Sequence, residues 1–93
     1  MMVFVLLGVY HNKLNNVISK IKSLGPRHLN KVHLVYGEYD VIAEIKATSP
    51  EISADILRNL KETEGVNTFK TYVVSDQLTD EGELKAMLSP EPW

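Results

Sequence analysis

The residues best suited to chemistry stand together. Val35-Tyr36-Gly37-Glu38-Tyr39-Asp40 brings two carboxylates, tyrosine phenol and a glycine into one short span. Glu38 or Asp40 is a candidate for the ammonium of a small amino acid, and backbone N–H groups near Gly37 for its carboxylate. Spacing alone leaves a second reading open, a hairpin turn made of turn-favouring residues. Other chemistries find less support. His11, His28 and His33 have no motif that sets them beside an activated Ser or Thr, and Ser49 and Ser53 suit helix capping and exposure. There is no Cys, and no His pair has the i, i+4 spacing of a helical zinc site, so neither catalysis nor a metal or cofactor is expected. Gly8, Gly25, Gly37, Gly65 and Gly82 are too scattered for a phosphate-cradling loop. His33, on a strand among apolar neighbours, reads as a hydrogen-bonded structural residue.

The elements that must position these groups follow from periodicity. Val3 to Tyr10 is β-branched, aromatic and apolar on both alternations, as expected of a central strand covered on both faces. Leu14, Val17, Ile18, Ile21 and Leu24 make one helical stripe, with Asn12 as N-cap and Gly25-Pro26 as the stop. Leu29 to Tyr36 and Asp40 to Ala47 alternate as strands around a tight Gly37-Glu38-Tyr39 turn, forming a β-hairpin. Ser49-Pro50 starts a second helix with Ile52, Ile56, Leu57 and Leu60 inward, ending near Glu64-Gly65. Thr68 to Val74 is a fourth strand. The order β-α-β-β-α-β predicts an α+β, ferredoxin-like domain over residues 1–75, a four-stranded antiparallel sheet with two helices on one face.

That arrangement leaves the other sheet face bare. Parity assigns it either Val3/Val5/Leu7 or Phe4/Leu6, with either Tyr72 and Val74 or Phe69 and Val73. Apolar surface is worth about 25 cal/mol per Å², and a 93-residue chain has little core to spare. A second copy packed sheet against sheet, a homodimer, is the expected cover. Charge is also uneven. Residues 1–37 carry five bases and no carboxylate, whereas residues 38–93 carry five bases and twelve acids. Residues 76–93 form an acidic extension with a possible short helix from Thr79 to about Leu88, expected as an assembly arm or a partly ordered tail. The longest apolar run, Met1 to Leu7, is far short of the ~18 residues of a membrane span, and no signal-peptide pattern precedes it, so a cytoplasmic protein is expected.

Two motifs resemble one family. Leu34-Val-Tyr-Gly-Glu-Tyr-Asp40 followed by VIAEI is similar to the G-[DE]-[YF]-D hairpin of the Lrp/AsnC transcriptional regulators. Gly65-Val-Asn-Thr-Phe-Lys-Thr-Tyr-Val-Val74 is similar to their G-V-x-x-x-x-T-x-V-V segment. The resemblance spans residues 2 to about 75 and implies a regulator-of-amino-acid-metabolism (RAM) domain, which forms a dimeric α/β barrel and often a tetramer of dimers. It implies an amino-acid effector bound between dimers at Gly37, Glu38, Tyr39 and Asp40, and at Thr71, Tyr72 and Val73. The family's DNA-reading helix-turn-helix has no counterpart between Met1 and the first strand, so the chain resembles the stand-alone members. That implies no direct DNA binding, and regulation of transcription through a full-length Lrp/AsnC partner. The usual proline-glycine-valine approach to the second strand is replaced by Leu24-Gly-Pro-Arg-His-Leu29. Two rival expectations attach to the fold: a dimeric-barrel enzyme of the monooxygenase or haem-degrading kind, and an assembly scaffold with an empty cleft. The apolar stripes offer little for the polar or His-lined cavity that an enzyme would need.

Overall fold

The structure is a computed structural model and describes residues 1–75. The expected acidic extension and its short helix lie outside the described residues. In chain order the elements are β1 (Met2–Val9), a 3-10 turn (His11–Lys13), α1 (Leu14–Lys22), the single-turn α2 (Gly25–His28), β2 (Leu29–Leu34), β3 (Val41–Lys46), α3 (Pro50–Lys61) and β4 (Val66–Val73). The strands form one antiparallel sheet in the order β2-β3-β1-β4, with β1 central as its two apolar alternations require. This is the ferredoxin-like α+β fold.

One core holds it together. Val3, Val5 and Leu7 of β1 and Val41, Ala43 and Ile45 of β3 are fully buried beneath Val17 and Ile21 of α1 and Ile56 and Leu60 of α3. The register decides the question of faces. Val3 pairs with Val73 and Leu7 with Phe69, so these point to the helices; Phe4 pairs with Tyr72, so Phe4, Leu6 and Tyr72 point the other way. No helix covers that second face among the described residues, and Tyr72 is half exposed on it. Beside it, Glu44 of β3 accepts from Asn30 Nδ2 at 2.9 Å and lies 2.8 Å from His33 Nε2 across the β2–β3 pair. These contacts, that with His33 foremost, hold the Glu44 carboxyl below the usual carboxylate range. His33 is thus hydrogen-bonded to a cross-strand carboxylate.

Local expectations are corrected at four places. Asn12 does not cap α1; the chain enters through the 3-10 turn, closed by Lys13 N–H on the Tyr10 carbonyl at 2.8 Å, and the α1 start has no side-chain cap. Gly25, with φ +73°, does stop α1, but Pro26 then starts the extra turn of α2. Ser49 caps α3 as expected, accepting from Ile52 N–H at 3.2 Å, yet the inward line is Ser53, Ile56 and Leu60. Ile52, one residue and about 100° round the helix from Ser53, faces out. Finally, α3 ends at Lys61, ahead of the expected stop at Glu64-Gly65. Gly65 serves a different purpose. At φ +104° its carbonyl accepts from Tyr10 N–H at 2.9 Å, and a Cβ there would run into Lys13 of the 3-10 turn. Among the described residues no helix is long and apolar enough to cross a membrane.

Candidate functional site

The β2–β3 connection is longer than a tight turn. Six residues, Val35 to Asp40, lie between the strands, and the loop is tied down at its shoulders. Val35 N–H donates to the Asp40 carbonyl at 2.9 Å, and Asp40 N–H donates to the Leu7 carbonyl at 2.9 Å. The half-buried Asp40 side chain adds a third tie: its Oδ2 accepts from Val9 N–H at 2.8 Å. That N–H lies where the β1–β4 register slips between Gly8 and Val9, so the carboxylate supplies a bond close to the irregularity in the ladder. Asp40 therefore acts first as a clamp between the loop and the central strand, its other oxygen making no hydrogen bond among the described residues.

Clamped in this way, the loop presents Tyr36, Gly37 and Glu38 to solvent while Tyr39 stays half buried. Gly37 takes φ +149°, a backbone state that suits glycine, and its surroundings are open. On β4, the far edge strand beyond β1, Lys70 shares the open sheet face with Tyr72, its Nζ 5.4 Å from the ring centroid. The Lys70 ammonium is pushed above its ordinary range first by the Tyr72 phenol, then by the Tyr39 phenol, and to a lesser degree by the Glu38 carboxylate. Lys70 and Tyr72 thus form a base and phenol pair on the open face, with the loop's Tyr39 and Glu38 acting on the Lys70 charge.

Strand alternation divides the second group of candidates. Tyr72 lies on the open face, opposite Phe4, whereas Thr71, opposite Val5, and Val73, opposite Val3, point to the helix side. Thr71 lines a shallow groove against Leu57, Arg58 and Lys61 of α3. Gly37, Glu38 and Tyr39 are therefore held in one loop tied down by Asp40, Tyr72 lies on the open face opposite Phe4, and Thr71 and Val73 point to the helix side. Lys70 is the residue that sequence reasoning missed. Its signal was the period of two that links it to Tyr72.

Behind the loop lies a cavity of about 230 Å³. Leu14, Leu34, Val35 and Tyr36 line it, with Val9 at its floor and His11 and Asp40 as its polar groups. An apolar pocket with few polar groups, closed on one side by a clamped loop, suits a small ligand with an apolar side chain. Among the described residues no three His, Asp or Glu side chains gather where they could hold a metal ion.

Comparison with known proteins agrees with this architecture. No curated protein matches the chain by sequence. Among solved structures, TTHA0845 from Thermus thermophilus superposes with a TM-score of 0.74 at 22% identity, over 85% of this chain and 98% of that one. Escherichia coli AsnC does so with 0.75 at 14% identity, over 85% of this chain but only 53% of AsnC, so the likeness spans about half of that regulator. The transcriptional regulator NMB0573 of Neisseria meningitidis, solved as a complex with L-Met, gives 0.71 at 15% identity over 94% of this chain and 58% of that one. At these identities the likenesses establish the fold. The family is established by sequence: the model of the Lrp/AsnC ligand binding domain matches residues 2–84, running past the described fold into the acidic segment. The chain belongs to the Lrp/AsnC ligand-binding domain family.

Proposed function

We propose that the chain is an amino-acid sensor of the Lrp/AsnC type, without enzymatic activity, that binds its effector at the β2–β3 loop and works as an oligomer. What supports this reading is that the Glu38 carboxylate on the clamped loop and the Lys70 ammonium on β4 are opposite charges that bear on one another. An α-amino acid is a zwitterion, and an acid and a base from two elements offer one partner to each of its charges. NMB0573, solved with L-Met, shows that a protein of this fold binds a ligand of that class. The uncovered face bearing Phe4, Leu6 and Tyr72 supports a sheet-to-sheet homodimer, and such dimers would associate further around the loop. Regulation of transcription would then pass through co-assembly with a full-length family regulator.

Isothermal titration of the intact chain against each of the twenty amino acids tests the binding claim. Heat with at least one is expected, together with a weakening of about tenfold or more in Glu38→Gln and Lys70→Ala, both surface changes that leave the melting temperature unmoved. No heat with any amino acid, from protein of confirmed fold, refutes it. A solution mass of a single chain at micromolar concentration refutes the dimer.

A further inference from the structure

We propose that a second copy of the chain pairs with it edge to edge along β4, the two strands antiparallel and Thr71 opposite Thr71. The seam rests on the homodimer reading above and names the edge at which its two sheets join. β4 is an outer strand, and its outer row of backbone groups has no strand partner among the described residues. Which residues own that row follows from one bond. Val74 N–H donates to the Met2 carbonyl at 2.9 Å, so Tyr72 and Lys70 also direct their backbone groups at β1. Phe69, Thr71 and Val73 therefore aim theirs outward.

Side-chain cover fails along the same stretch. A groove of about 660 Å³ opens between Leu57, Arg58 and Lys61 of α3 and Phe69 and Thr71 of the strand. Val73 is 55% exposed, an unusual state for a valine on the helix side of a sheet. The opposite edge is blunted, and this one is not. β2 has six residues and a register shift between Leu29 and Lys31, both devices that discourage pairing. β4 has eight residues, and its own irregularity, opposite Gly8 and Val9, lies before Phe69.

The order of side chains selects a second copy as the occupant. With Thr71 on the two-fold axis, Phe69 meets Val73, Lys70 meets Tyr72, and Thr71 meets Thr71. Apolar faces apolar, hydroxyl faces hydroxyl, and a cation faces the kind of ring it already approaches at 5.4 Å within one chain. The outward N–H and C=O groups of Phe69, Thr71 and Val73 then fall in hydrogen-bonded pairs, about six bonds in all. Neighbouring registers lie two residues along, because a single step would turn the faces over. One sets Lys70 against Lys70 in a close, non-hydrogen-bonded pair; the other sets Lys70 against Val74. The groove walls carry both signs, Arg58 and Lys61 with Glu62, so two copies do not meet as like charges. An axis upright on the sheet at the seam leaves both open faces on one side, from which curling about the seam brings them together.

The chain has no cysteine, so single introduced thiols report the seam without background. Across the seam, position 71 stands about 5.5 Å from its copy between Cα atoms, within disulfide range, whereas position 70 lies on a diagonal of about 7–8 Å. In the full chain at micromolar concentration under mild diamide oxidation, Thr71→Cys is expected to form a disulfide-linked dimer about tenfold faster than Lys70→Cys. Equal or faster joining by Lys70→Cys overturns the proposal. So does no joining by Thr71→Cys, the result if another segment takes the edge. Sedimentation equilibrium supplies a second readout. Thr71→Pro deletes an outward N–H, so the fold should persist while the dimer dissociation constant rises about tenfold or more. Thr71→Val keeps that N–H and should dimerise like the unmutated chain. A folded Thr71→Pro with unmoved dimer affinity overturns the proposal. These failures in a chain of dimeric mass remove the seam alone, whereas a single-chain mass removes the homodimer reading with it.

Discussion

Asp40 is the residue at which structural and ligand-binding roles can be separated by measurement. Asp40→Ala removes the acceptor from Val9 N–H, a donor on a residue only 8% exposed and bound at 2.8 Å. The loop keeps its two backbone ties, Val35 N–H to the Asp40 carbonyl and Asp40 N–H to the Leu7 carbonyl, so the effect is confined to one bond. A donor left without a partner in such a place costs about 1–3 kcal/mol. In a domain of this size each kcal/mol is worth about 4–8 °C, so the melting temperature should fall by roughly 5–20 °C. Asp40→Asn keeps an oxygen in position without its charge, and a neutral hydrogen bond has about half the strength of a charge-assisted one, so it should recover about half of the loss. Urea titrations give both values, with an unchanged slope confirming that the folded and unfolded states have not changed in compactness.

An Asp40→Ala stability within about 0.5 kcal/mol of the unmutated chain would refute the clamp. The same pair of variants settles which acid holds the effector's ammonium. If Glu38 holds it, Asp40→Asn binds the amino acid with nearly unchanged affinity, because the loop remains tied. If titration shows Asp40→Asn folded but without affinity, the free oxygen of Asp40 is the ligand, and Glu38 is a bystander.

Two further expectations concern the fold. Gly65→Ala combines a left-handed backbone with a Cβ driven into Lys13, so it should destabilise by about 1–3 kcal/mol or more in urea; a neutral result would mean that the 3-10 turn moves aside freely. Glu44 has its carboxyl pKa depressed below the ordinary 4.5 by His33 and Asn30, so the pair stabilises the fold above that value and the benefit is lost as pH falls through the lower folded value. Urea midpoints from about pH 6 to pH 3 should therefore fall less steeply in Glu44→Gln, and an identical acid limb in the two proteins would refute the contribution.

Much of this fold was legible because its signals are local and repeat. The doubly apolar β1 marked a central strand, Ser49-Pro50 marked the start of α3, and Val41, Ala43, Ile45 and Ala47 are all buried as their alternation required. What escaped depended on partners distant in sequence. The loop reads as a tight turn until Asp40 finds Val9, 31 residues earlier. Gly65 reads as a helix stop until the 3-10 turn, some fifty residues earlier, packs against it and leaves no space for a side chain. Neither partner carries a mark of its role in its own neighbourhood.

The site illustrates a different kind of miss. The family motif named Thr71, Tyr72 and Val73 as consecutive candidates, yet a strand turns successive side chains to opposite faces, and the register puts only Tyr72 on the open face. The alternation that separates Thr71 from Tyr72 joins Tyr72 to Lys70, and a motif written as a string of letters hides that pairing. If the zwitterion reading holds, Lys70 contributes more to affinity than Thr71, even though the motif specifies Thr71 and leaves position 70 open. Lys70→Ala and Thr71→Ala titrated side by side would show it: a larger loss from Thr71→Ala would move the effector off the open face and into the groove beside α3.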